Sequence, residues 1–319
     1  MNNEINDVKP IVIEHFVGQQ RVVDRCKVAL EAAWNQGTKL PHMLMQGGAG
    51  LGKTELSHIL ANEMGMDGEL HEQLAQNIKS PIDLHAFLLT PSKREVCLID
   101  EIHELPPIAQ TTLYRAMENQ QIFLDSRRGR KSRPVKIPNF TIIGATTDPQ
   151  KLLQPLRDRF KVVLDFQHYS ESELELLLKN RAMHLGSGWI IEETVFSMIA
   201  QRGKGTPRIA LRLLESVKMT ASAEDSDAIT VDHFQKTCEL EGIDPIGLSG
   251  NEIKYLKILY ENNNSARLNV LASRLSLPVK HVSHIIENYL IRIGLVTKAN
   301  SLRVLTQAGL EHLTNYHFD

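Results

Sequence analysis

The sequence is poor in cysteine and in aromatic side chains, has no long apolar run, and carries no excess of either charge. Its three cysteines, Cys26, Cys97 and Cys238, stand far apart. That excludes the close spacing of a zinc or dithiol site and points to a reducing compartment. No apolar stretch approaches the ~18 residues a membrane helix needs, and the polar start MNNEINDVKP is unlike a secretory signal. The expectation is a cytoplasmic protein without membrane contact. With aromatics at 5%, aliphatic side chains must fill the core. Lys plus Arg number 36 against 38 Asp plus Glu, a net charge of −2. A globally basic nucleic-acid coat is therefore excluded, and any such contact must come from local patches. No internal repeat or low-complexity tract occurs. At about 150 residues per domain, 319 residues suggest two domains, with one or three possible.

The first half alternates short apolar runs with amphipathic stretches. Residues 42–46, 96–99, 140–147 and 161–166 read as buried strands, and 20–36, 53–64 and 107–119 as helices. Strands alternating with helices imply a mostly parallel sheet covered on both faces. From 170 to about 241 the pattern is helical, opening with Ser170 and Glu173 in capping-box spacing. Residues 243–250 carry Pro and Gly and read as a hinge. Beyond them, helices at 251–261, 268–274 and 278–292 followed by two short strands suggest a winged helix-turn-helix.

The segment from Gly47 through Gly50, Leu51, Gly52 and Lys53 to Thr54 fits the GxxxxGK[ST] phosphate loop between a strand and a helix, and Glu55 follows it as a further nucleotide-binding candidate. Its glycines let backbone N–H groups turn toward phosphates. The helix N-terminus favours negative charge, Lys53 reaches the β/γ-phosphates, and the Thr54 hydroxyl is a Mg²⁺ ligand. A second apolar strand ends in Asp100-Glu101. Asp100 is expected to hold Mg²⁺ and Glu101 to activate the attacking water. Thr146 or Thr147, at the end of a third strand, could sense the γ-phosphate or position that water. Two arginines in PLRDRF (155–160) precede the next strand, where an arginine can act on phosphate in cis or from a neighbouring subunit. They could equally form a surface salt-bridge cluster. Pro207 and Arg208 open a later helix, and Arg208 could reach back to the phosphates or lie solvated. The expected ligands are ATP and Mg²⁺.

With these residues in place, the chain resembles the RuvB family, AAA+ motors of Holliday-junction branch migration. The resemblance rests on FVGQ (16–19), LPH (40–42), GLGKT (50–54), LIDEIHEL (98–105), LYRAME (113–118), IGATT (143–147), PLRDRF, GTPRIALRLL (205–214) and IENYLIRIGLV (286–296), and covers about residues 9–313. It implies an α/β AAA+ P-loop ATPase domain with a parallel sheet (1–168), an all-α lid (169–244) and a C-terminal winged helix (245–319). It also implies a homo-oligomer, a hexameric ring around duplex DNA. Within it, Arg159 is the finger acting on a neighbour's ATP and Arg208 the second sensor. Val8, Lys9 and Val17, with Tyr169, line the adenine pocket, although Tyr169 by itself is also an ordinary packing residue.

Some positions depart from the family pattern. The phosphate loop reads GGAGLGKT rather than GPPGLGKT, Lys9 replaces an Arg, and Glu118-Asn119-Gln120 replaces an acidic-acidic-aromatic step. The largest departure is at 121–137. RuvB has an apolar hairpin there that engages RuvA. This chain has Arg127, Arg128, Arg130, Lys131, Arg133 and Lys136, with no acid after Asp125. The RuvA contact is therefore not expected to carry over. The segment is a solvated basic loop, or it binds DNA phosphate or an acidic protein partner. In the wing, Lys298 and Arg303 match two basic family positions and Ser301 replaces a third. Residues 247–319 hold eight Lys and Arg against five Asp and Glu, a mild excess. Two functions stay open: a DNA motor driving branch migration, or a related AAA+ regulator of a protein partner, as in a mobile element or defence system.

Overall fold

The computed structural model describes residues 9–65, 70–124, 133–183 and 189–316. The chain divides into two compact units. One is Met1–His184 with Thr206–Arg208, the other Leu185–Gly205 with Ile209–Asp319.

Among the described residues, the first unit has seven strands: β1 (Met43–Gln46), β2 (Leu70–Leu74), β3 (Val96–Asp100), β4 (Gln121–Leu124), β5 (Arg133–Lys136), β6 (Thr141–Thr146) and β7 (Val162–Asp165). Five form one parallel sheet in the order β2-β3-β6-β1-β7, while β4 and β5 make a separate antiparallel pair. Every residue of β6 is buried, as the centre of a doubly covered parallel sheet requires. The four expected strands are present. β2 was not expected, because LHEQL sets three polar side chains between its leucines at a half-exposed sheet edge and lacks the apolar run of its neighbours.

The helices are α1 (Gln20–Gln36), α2 (Lys53–Glu63), α3 (Pro81–Leu88), α4 (Pro107–Asn119), α5 (Gln154–Arg157) and α6 (Glu171–Met183). α1 buries Val22, Val23, Cys26, Leu30 and Ala33, one face at helical spacing, and stops at Gly37 in the left-handed region. The Ser170 box at the start of α6 forms as expected. Ser170 N donates to Glu173 Oε2 at 2.8 Å, and Glu173 N to Ser170 Oγ at 3.2 Å. The aliphatic core packs Leu44, Cys97, Ile99, Ile142 and Leu113 with few aromatics.

The second unit contains α7 (Glu193–Arg202), most of α8 (Pro207–Ala223), α9 (Val231–Glu241), α10 (Gly250–Glu261), α11 (Leu268–Leu275), α12 (Val279–His281), α13 (Glu287–Arg292) and α14 (Gln307–Tyr316). Two short strands, β8 (Ile190–Ile191) and β9 (Ala228–Ile229), pair in parallel within the stretch expected to be purely helical. A two-residue pairing leaves no periodicity to read. The wing is a three-stranded sheet, β10 (Ser265–Arg267), β12 (Leu302–Leu305) and β11 (Val296–Ala299), one strand more than expected. The expected helix 278–292 is interrupted by a π turn at Val282–Ile286.

The segment 243–250 is pinned, not open like a hinge. Asp244 Oδ1 accepts from Ile246 N (3.0 Å) and Leu248 N (2.7 Å), and Arg202 Nε donates to Asp244 O (3.2 Å). Gly247 sits at φ +85, where a Cβ would lie 2.8 Å from Arg202 O. The Pro and Gly here shape a tight turn rather than a flexible one.

Candidate nucleotide site

The loop after β1 curls because its glycines adopt backbone conformations that other residues avoid. Gly47, Gly50 and Gly52 have φ of +146, +75 and +97. A Cβ on Gly47 would lie 2.6 Å from Phe166 O, and one on Gly50 2.9 Å from Arg208 Cβ. Leu51 is fully buried beneath the loop. Lys53 is also buried, and its ammonium donates to Gly47 O (2.8 Å) and Gly48 O (2.7 Å). Burial draws its pKa below the ordinary lysine value, while Glu101 and Asp100 oppose that shift. Thr54 and Glu55 follow in the first turn of α2.

The acids lie at the end of β3, next but one to β1 across β6. Asp100 Oδ1 accepts from Glu101 N at 2.9 Å. Glu101 is in the left-handed region at φ 48, a cost of roughly 1–3 kcal/mol that recurs at functional sites. Gly144 in β6 permits this turn to lie close, since a Cβ there would meet Ile102 Cδ1 at 2.8 Å. The Glu101 carboxylate thereby reaches the end of β6. Glu101 Oε2 accepts from Thr147 N (3.1 Å) and Thr147 Oγ1 (3.0 Å). Thr146 is buried, with its Oγ1 3.0 Å from His103 Nδ1. The two threonines, alternatives in the sequence, thus have different partners. His103 was not singled out from the sequence. Its signal was its place within LIDEIHEL, directly after the acidic pair.

Arg208 is brought to the loop: its backbone N–H approaches Gly50 O at 3.5 Å, and its charge acts on Lys53. Pro207 precedes it at the start of α8. Tyr169 is buried, and its hydroxyl donates to Leu51 O at 3.4 Å. Burial raises the phenol's pKa. Its ring packs against Gly18, where a Cβ would lie 2.5 Å away, and Phe16 packs against Gly52. Val17 lies between these contacts, half-buried. Gln19, missed from the sequence, joins this wall to the segment after β7: Gln19 Nε2 donates to Gln167 O (2.6 Å), and Gln167 N to Gln19 Oε1 (3.0 Å). Lys9 is exposed, and Val8 lies outside the described residues.

Arg159 is not brought to its own chain's phosphate loop. β7 runs parallel to β1, with Met43 opposite Val162 and Gln46 opposite Asp165. Arg159 precedes β7, so it lies toward the N-terminal ends of the strands, opposite the loop. There it is paired at the surface with Glu118 at 2.7 Å.

Beneath the wing, Glu287 at the start of α13 is fully buried and takes both basic residues. Arg303 Nε and Nη2 donate to its two oxygens (3.0 and 3.2 Å), and Lys298 Nζ approaches Oε1 at 2.7 Å. Arg303 is thereby an internal partner, while Lys298 remains about half exposed. Arg127, Arg128, Arg130 and Lys131 lie outside the described residues, whereas Arg133 and Lys136 are exposed on β5.

The residues present fit a nucleotide. A glycine cradle that any side chain would fill, a buried lysine at a helix N-terminus, and an acidic pair beside it form a P-loop ATPase site. With the adjacent arginine of α8, the class is an AAA+ ATPase. Residues 8–166 match the Holliday junction DNA helicase RuvB P-loop domain, 169–244 the RuvB AAA lid domain and 245–314 the RuvB C-terminal winged helix domain. The Holliday junction branch migration complex subunit RuvB of Anaplasma phagocytophilum is 36% identical over 98% of this chain and 94% of its own. That of Campylobacter fetus is 35% identical over 94% and 87%. The Thermotoga maritima RuvB Holliday junction branch migration motor superposes with a TM-score of 0.84 at 34% identity, covering 98% of this chain and 99% of its own. The chain belongs to the RuvB family of AAA+ P-loop ATPases. Among the described residues no helix is long and apolar enough to cross a membrane.

Proposed function

We propose that this ATPase is a DNA motor: a ring of identical subunits, hexameric as the family implies, that moves duplex DNA and drives branch migration at Holliday junctions. The work divides among an ATPase part (1–168), a lid (169–244) and a winged helix (245–319). The observation that carries a multi-subunit mechanism is the position of Arg159, partly exposed and toward the ends of the strands away from its own phosphate loop. A finger so placed serves a neighbour's nucleotide. The relatives' names supply the DNA substrate. DNA as substrate and three buried, unpaired cysteines suit the cytoplasm.

Each residue then has a task. Lys53 exchanges the Gly47 and Gly48 carbonyls for phosphate oxygens. Thr54 and Asp100 hold Mg²⁺, which would neutralise charge on the phosphates. Glu101 accepts a proton from the attacking water, and Arg208 and a neighbour's Arg159 offset the charge on the transferred group. Tyr169, Phe16 and Val17 enclose the base. Lys53→Ala should lose ATP binding. Glu101→Gln should keep binding yet turn over ~10²–10⁴-fold more slowly, and a wild-type rate in that variant sinks the assignment.

A second reading, an AAA+ regulator of a protein partner, draws on the wing, beneath which buried Glu287 engages both basic residues. Changing Arg127, Arg128, Arg130 and Lys131 together to Ser separates the two. A DNA role requires a salt slope of binding shallower by about two to four units. An unchanged slope with intact ATPase favours the partner protein.

A further inference from the structure

His103 joins the two halves of the hydrolytic machinery. Its side chain is 6% exposed, so its polar atoms must find partners inside the protein. Nδ1 faces two of them at once: Thr146 Oγ1 at 3.0 Å and Glu101 Oε2 at 3.1 Å. Nε2 faces Glu104 Oε1 at 3.0 Å, and Glu104 in turn pairs with Lys151 at 3.5 Å. A carboxylate only accepts, so Nδ1 bonds Glu101 only by donating its single proton. Thr146 Oγ1, which already accepts from Asp148 N at 3.0 Å, competes for that same proton. Meanwhile Thr147 supplies Glu101 with two further donors. Three donors thus converge on the Glu101 carboxylate and hold it at the end of β6. Its backbone is held in the left-handed region at the same time.

We propose that His103 is a positioning residue that restrains Glu101 in this withdrawn arrangement and couples its release to Thr146. This rests on the reading of Glu101 as the water activator and Thr146 as a γ-phosphate sensor. When the Thr146 hydroxyl donates to a phosphate oxygen, its own oxygen becomes a stronger acceptor, as in any hydrogen-bonded chain. The Nδ1 proton then turns to Thr146 and the hold on Glu101 weakens. Binding of a triphosphate and release of Glu101 are thus linked, and linkage is reciprocal.

The test is nucleotide affinity of the full-length protein, measured with the β,γ-imido analogue of ATP and with ADP. Removing one donor to a carboxylate shifts such an equilibrium by about fivefold. His103→Ala should therefore bind the analogue about fivefold more tightly and raise DNA-independent ATP hydrolysis by a similar factor. ADP affinity should stay unchanged, because ADP lacks the phosphate that Thr146 reads. His103→Gln keeps an N–H donor and should behave as wild type. In a Glu101→Ala background, which removes the acceptor, His103→Ala should have no effect on analogue affinity. Equal changes for both nucleotides, or an undiminished effect in the Glu101→Ala background, overturn the proposal. So does a His103→Gln variant that behaves like His103→Ala. A Glu101→Gln protein that hydrolyses ATP at the wild-type rate would instead remove the water-activating role, and the binding cycle would still report the coupling.

Discussion

His312 Nε2 stands 2.7 Å from Asp244 Oδ2, and both side chains are almost wholly buried. The contact ties the last helix of the chain to a turn sixty-eight residues earlier. The other Asp244 oxygen holds Ile246 N and Leu248 N. His312→Ala leaves those backbone donors but removes a close partner of a buried carboxylate oxygen. Breaking buried pairs typically costs 3–5 kcal/mol; with backbone donors remaining, about 2–4 kcal/mol is expected. Urea denaturation should show that loss, and limited proteolysis should newly cut within 243–250.

Lys39 and His42 make stability depend on pH in one direction. Ile142 N donates to His42 Nδ1 at 2.9 Å, so the ring proton sits on Nε2, 3.1 Å from Lys39 Nζ. An ammonium cannot accept that proton, and a neutral amine can. Burial, helped by Lys161, lowers Lys39 to about 8. Burial, helped by Lys39 and Lys161, lowers His42 to about 3. Between pH 8 and the ordinary lysine value of about 10.4, the unfolded chain holds a proton on Lys39 that the folded chain lacks. Stability therefore rises with pH there. Likewise, below the ordinary histidine value of about 6.5, the unfolded chain gains a proton that folded His42 refuses, and stability falls with acid. Denaturation midpoints from pH 7.5 to 10.5 should climb in the wild type, and Lys39→Met should lack this component, at most about 3 kcal/mol.

The wing separates a structural cation from an available one. Arg303→Ser leaves Glu287 buried with half its partners gone and should cost about 3–5 kcal/mol. Lys298, half exposed, should cost under about 1 kcal/mol when changed to Ser. If the wing touches DNA phosphate, Lys298→Ser should make the salt slope of duplex binding shallower by about one unit. A stable Arg303→Ser protein would contradict the buried-pair assignment.

Arg159→Ala should bind ATP normally and lose ~10³–10⁵ in turnover, as arginine fingers do. Mixing it with Lys53→Ala should restore part of the activity, because some interfaces then combine an intact loop with an intact finger. Mixed rings without rescue would return Arg159 to its pairing with Glu118 as a purely local role.

Local sequence was enough for the features that depend on near neighbours in the chain. The phosphate loop, the Asp100-Glu101 strand end and the Ser170 cap all follow from backbone requirements within a few residues. The apolar runs of β1, β3, β6 and β7 announced a buried parallel sheet because both faces are covered. The edge strand β2 and the two-residue β8–β9 pairing were not legible, since each is stabilised by a partner strand rather than by its own pattern. The segment 243–250 looked like a hinge by composition and proved to be a pinned turn. Its rigidity comes from Arg202 and His312, far away in sequence.

Sequence alone determined the family, the chemistry of the loop and the class of each candidate residue. Tertiary structure decided which candidate meets which. It sent Thr147 to Glu101 and Thr146 to His103, turned Arg208 onto Gly50, kept Arg159 from its own chain's loop, and engaged Arg303 with Glu287 beneath the wing. The reason is physical. A residue's type and local backbone are properties of a short stretch, whereas its hydrogen-bond partner depends on which distant segment packing places within about 3 Å.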